Sequence, residues 1–225
     1  FYINTQGVDG SEGRWQRADY LHRAEDIESG LRILRQRDIV DTNRIALFGH
    51  GEGAYIAQIV SSKKQNNITA ILNLAAPTFD YRTKVLNAYH GEYVCTGKDS
   101  TAAYSKAERQ TKSSLGWVNT FPVIKKWRHG KVNKDFNPAE YIGNLTIPSL
   151  FVFAENDEEI YSDWAMEALE ELFSGDIPDY FYFEEISGAN HSFREGDKCF
   201  IGDITTLPFS NQFKAVVRDW VRTHL

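Results

Sequence analysis

Three positions in this chain carry, or conspicuously lack, the side chains that acyl-transfer chemistry uses. His191 lies in "GANHSF" (188–193), and Asp157 lies in the acidic run "ENDEEI" (155–160). A histidine can take a proton from a nucleophile and return it to a leaving group. A carboxylate beside it fixes the imidazole's tautomer and stabilises its cation. Such a pair works on a hydroxyl nucleophile. The place for one is the turn "GHGEGA" (49–54), where a strand-like run passes between glycines into a helical pattern, but its centre is Gly51. Asn156, Glu158 and Glu159 stand beside Asp157 as alternative partners for the histidine. His50 reads as a structural neighbour of the turn, and Ser11 in "GVDGSEG" (7–13) as a turn residue.

These positions must be held by a scaffold. Five short apolar runs read as strands: 1–5, 44–49, 70–76, 149–155 and 179–186. Most are nearly continuous in apolar character, as parallel strands covered on both faces are. Helical patterns separate them. Ile27, Leu31 and Leu34 share one face, as do Trp164, Ala168 and Leu172, and Phe213, Val217 and Trp220. Ser162 is the expected N-cap of the second of these. Repeated strand–helix units predict an α/β fold, a mostly parallel sheet with helices on both faces. The glycine turn, the acid and the histidine each follow a strand, so they converge at one sheet edge. Residues 80–144 interrupt the rhythm and are expected to form a helical cap, with 1–79 and 145–225 as the core. Tyr81, Tyr89, Trp117, Phe121 and Trp127 would either shape an apolar pocket there or pack the cap to the core.

The four segments together resemble the α/β-hydrolase superfamily, specifically its lidded serine esterases and peptidases. "GHGEGA" is similar to that family's GHSEGA nucleophile elbow with glycine for serine. "NLTIPSLFVFAENDEEI" (144–160) is similar to its acid-bearing segment, "GANHSF" to its histidine loop, and "GVDGSEG" to its loop after the fourth strand, with Gln6 where arginine is usual. The resemblance implies Gly51 at the nucleophile position, Asp157 as the acid and His191 as the base. It also implies that the backbone N–H of Glu52 forms half of an oxyanion hole; the small Gly49 and Gly53 let the helix pack tightly against the strand and permit the turn. It further implies that the family's first strands are missing here, and that a missing N-terminal segment of the same fold pairs with this chain. The implied activity is hydrolysis of an ester, thioester or amide with an apolar part, disabled by Gly51. A non-catalytic small-molecule binder, or a proton transfer run by His191 and Asp157 alone, are the alternatives.

Composition excludes several classes. The net charge of −6 leaves no basic stripe for nucleic acid. No apolar run approaches the ~18–20 residues of a membrane span. No cofactor is expected, and no histidine–cysteine cluster has metal-ligand spacing. Cys95 and Cys199 are expected to be two unrelated thiols, with the cytoplasm favoured over an oxidising compartment. Asn67 and Asn144 open Asn-x-Thr tripeptides that fit the glycosylation pattern.

Overall fold

The computed structural model describes residues 3–121 and 128–225. Four of the apolar runs form strands: Ala46–His50 (β1), Ala70–Leu74 (β2), Ser149–Ala154 (β3) and Phe181–Ile186 (β4). They pair in parallel in the order β1-β2-β3-β4. Side chains alternate between the two faces with period two. Ile71 and Phe151 pack with Ala165 and Leu169 on one face. Leu72, Leu150 and Val152 pack with Trp220 on the other. Apolar residues at successive strand positions therefore demand a helix on each side. These are Ser162–Leu172 (α7) and Asn211–His224 (α8), while Tyr20–Leu34 (α1) packs on Glu52–Ser62 (α2) through Tyr20, Ala24, Leu31, Tyr55 and Ile59.

Between β2 and β3 run Tyr81–Cys95 (α3), Ser100–Thr120 (α4), Arg128–Asn133 (α5) and Ala139–Gly143 (α6). Aspartates start two of them: Asp80 accepts from the Thr83 N–H at 2.7 Å and Asp99 from the Ala102 N–H at 3.0 Å. Such caps contribute about 1 kcal/mol each. Among the expected aromatics, Tyr81 is buried with the α1–α2 cluster. Tyr89 bonds Ser114 at 2.9 Å, between α3 and α4. Trp117 and Phe121 form an exposed stack, and Trp127 lies outside the described residues.

Three expectations need correction. Residues 3–5 form no strand, and Phe1 and Tyr2 lie outside the described residues. Strand backbone needs a neighbour to satisfy its N–H and C=O groups. Among the described residues β1 pairs on one side only, with β2, so no ladder holds residues 3–5 extended. Second, the N-cap of α7 is Tyr161, without a side-chain cap; the Ser162 hydroxyl instead bonds Glu185 at 2.6 Å. Third, Cys95 and Cys199 are joined in a disulfide with a Cα–Cα distance of 5.2 Å. The fold carries the end of α3 to the loop after His191, a proximity that a separation of 104 positions conceals.

Candidate active site

Gly51 forms the link between β1 and α2. Its φ of +52° and ψ of −124° lie where a residue with a side chain is strained. The turn is pinned by the Gly51 N–H donating to the Leu74 carbonyl at 2.9 Å and the Ala54 N–H donating to the Gly51 carbonyl at 3.0 Å. Gly49 is required by close approach: a Cβ there would sit 2.5 Å from Ala54 Cα and 2.6 Å from the Gly53 carbonyl oxygen. Gly53 meets no such constraint, since outside its own helix a Cβ there would touch no described residue within 4 Å. The tight packing expected of both glycines therefore falls on Gly49 alone.

Asp157 sits in the turn after β3 and is 2% exposed. Its Oδ1 accepts from the backbone N–H groups of Glu159 and Ile160, both at 2.8 Å. Its Oδ2 lies 2.8 Å from His191 Nδ1. With Oδ1 taken up by two N–H donors, Oδ2 faces Nδ1 as an acceptor, which selects the tautomer with its proton on Nδ1 and leaves Nε2 as the basic nitrogen. That nitrogen faces Gly51. A Cβ at position 51 would lie 3.5 Å from Nε2 and 3.8 Å from Cε1, with no other described residue beyond its chain neighbours within 4 Å. The structure thus brings positions 51, 157 and 191 together from three separate loops.

Burial alone would lower the His191 pKa. The hydrogen bond and charge of Asp157, with the charges of Glu159 and Glu158, outweigh it and raise the pKa above its ordinary value. His50 supports the ring: its Nε2 donates to the His191 carbonyl at 2.8 Å, and the two imidazoles lie 4.7 Å apart. Burial lowers the His50 pKa, so it serves as a neutral donor. Ser11 lies in a self-bonded turn, its N–H donating to the Val8 carbonyl at 2.9 Å and its carbonyl accepting from the Gly7 N–H at 3.1 Å.

Of the neighbours weighed beside Asp157, Asn156 bonds the backbone, its N–H to Ala189 and its Nδ2 to Gly196. Burial raises the pKa of Glu158. Glu159 points an exposed carboxylate to within 3.7 Å of His191 Nε2.

Glu52 carries a second feature that sequence patterning does not signal. Its backbone N–H belongs to the first turn of α2, where N–H groups lack helical partners. Its side chain meets Lys84 of α3 and lies 3.0 Å from His129 Nε2 of α5. Burial pushes its pKa up, but His129 and Lys84 hold it far below the carboxylate range. The residue beside the glycine turn thereby ties two helices of the 81–143 segment to it. The partners lie 32 and 77 positions away, at spacings no local pattern marks.

Neither a family model nor a curated protein sequence matches the chain. Solved structures do. DcsB, solved with a substrate analogue, superposes with a TM-score of 0.60 at 14% identity, covering 98% of this chain and 78% of that one. A Pyrococcus furiosus esterase gives 0.56 at 13%, covering 96% and 66%. A Porphyromonas gingivalis dipeptidyl peptidase 4 gives 0.54 at 16%, covering 92% of this chain but only 23% of the peptidase. This chain has the α/β-hydrolase fold.

Proposed function

We propose that this chain carries the site of an α/β-hydrolase for ester, thioester or amide bonds, with Gly51 in the nucleophile's seat and the covalent route therefore closed. The observation that carries this reading is the line from position 51 through His191 to Asp157: among the described residues beyond its chain neighbours, a side chain grown at Gly51 meets only the basic imidazole edge. A hydroxyl there would give its proton to Nε2 and attack a carbonyl carbon. The Glu52 N–H would receive the developing oxyanion. Asp157 would hold the resulting imidazolium. Helices in the 80–144 segment, tied to the turn by Glu52, serve in this reading as the lid, and an acyl substrate with an apolar part lies beneath it. A further strand of the same fold would pair with the edge of β1 that has no partner among the described residues.

The disulfide favours an oxidising compartment over the cytoplasm. The hydrolase reading is tested by Gly51→Ser. The variant is expected to label with a fluorophosphonate and to cleave p-nitrophenyl acetate with a burst, orders of magnitude faster than the parent. It should also be less stable by about 1–3 kcal/mol, because serine is strained at this backbone conformation. A soluble, folded Gly51→Ser protein that neither labels nor turns over would refute the reading.

A further inference from the structure

We infer that Gly51 converts this site from covalent catalysis to direct attack by water, with His191 as the general base and Glu159 as the second arm that holds the water. The inference rests on the hydrolase reading above and goes beyond it by giving the chain an activity of its own. Its basis is geometric. Among the described residues, apart from its chain neighbours His50 and Glu52, only the imidazole edge comes within 4 Å of a Cβ placed at Gly51, so the glycine leaves room where a nucleophile would stand. Glu159 Oε2 lies 3.7 Å from His191 Nε2, too far for a direct hydrogen bond and suited to a shared water. Glu159 is also built into the acid turn, since its own N–H donates to Asp157 Oδ1 at 2.8 Å. One short segment therefore orients the base and aims a second acceptor at the same nitrogen.

The step balances with water as the only co-reactant. One water proton goes to Nε2 while the other is held by the Glu159 carboxylate. The water oxygen forms its bond to the substrate's carbonyl carbon, and the carbonyl electrons move onto the oxygen facing the Glu52 N–H. Collapse breaks the bond to the leaving group, which takes the proton back from Nε2. No acyl-enzyme forms and no redox change occurs. The polarising partner of the base is unchanged, since Asp157 stabilises the imidazolium whichever oxygen lost the proton.

The test uses the chain as it stands, with p-nitrophenyl acetate as probe, beside His191→Ala, His191→Gln, Glu159→Gln and Gly51→Ser. Thermal melts establish that each is folded, and His191→Gln serves if the alanine variant is not. The parent is expected to turn over repeatedly without a burst and to resist fluorophosphonate labelling. It should run about 10²-fold faster than the His191 variants, the low end of general-base contributions. Its rate should fall in D2O, because water loses a proton in the step. Glu159→Gln is expected to lower the rate about 2- to 10-fold, as losing one hydrogen bond to the water would. A parent no faster than its His191 variants would overturn the inference, as would a burst, a rate equal in H2O and D2O, or an unchanged Glu159→Gln. If the parent fails while Gly51→Ser labels and turns over, the hydrolase reading survives without this inference. If Gly51→Ser fails as well, both fall.

Discussion

Gly91→Ala offers a sharp test of how the acid turn is held. Gly91 lies in the middle of α3, where alanine would ordinarily stabilise the helix by about 0.5–1 kcal/mol. Here a Cβ would overlap the carbonyl oxygen of Glu158 and stand 2.7 Å from its carbonyl carbon. The obstacle is backbone, so no rotamer change relieves it. Either α3 withdraws or the turn carrying Asp157 moves. Overpacking of this kind costs up to about 3 kcal/mol; less about 1 for helix propensity, the expected net loss is about 2 kcal/mol. For a chain of this size that corresponds to a fall in melting temperature of about 4–8 °C. Gly116→Ala is the control. It is also helical, a Cβ there meets no described residue outside its own helix within 4 Å, and it should gain about 1 kcal/mol. Urea melts of both would then differ by about 3 kcal/mol, and the Nδ1 proton signal of His191 should shift only in Gly91→Ala. Equal stability of the two variants would refute the claim that α3 rests directly on the acid turn.

Other expectations concern the charges and the crosslink. Because the folded-state pKa of His191 is raised, its charged form adds stability that is full below about pH 6.5 and is lost as pH rises through the folded value. An NMR titration should place its midpoint above 6.5, and His191→Gln should destabilise more at pH 5 than at pH 9. Glu52 has the opposite sign: its depressed pKa adds stability above about pH 4.5 that is lost as pH falls. Glu52→Gln should cost about 3 kcal/mol at pH 7, the low end for breaking a buried pair since its side chain is 25% exposed. Acid melts should show that difference narrowing below pH 4.5. Removing the disulfide by Cys95→Ser with Cys199→Ser should cost about 2–5 kcal/mol in non-reducing urea melts, and a reductant should then leave the double variant's stability unaltered.

How much of this was legible in the residues follows from what each feature depends on. β2 and β3 are nearly continuous apolar runs, broken by Asn73 in one and opened by Ser149 in the other, because both faces are buried, and that pattern is local. The loops carrying Asp157 and His191 follow from strand ends, which are also local. The strand expected at 1–5 depends on a neighbour, and residues 3–5 have none among those described. The Cys95–Cys199 bond and the Glu52 cluster depend on where distant helices land, which no spacing encodes. Gly49 and Gly53 look alike in sequence, yet only Gly49 faces a crowded backbone, since the distinction lies in the direction a side chain would take.

The crosslink also divides the site topologically. The chain from Cys95 to Cys199 is a covalently closed ring, and Asp157 and His191 both lie inside it, while Gly51 lies on the open chain before it. A single protease cut within the ring, at the exposed stretch near Ser174 and Gly175 for instance, would leave the two pieces joined through sulfur. Such a nicked protein would migrate as one band until reduced and as two afterwards. The acid and the base would then part company only when the sulfur bridge did.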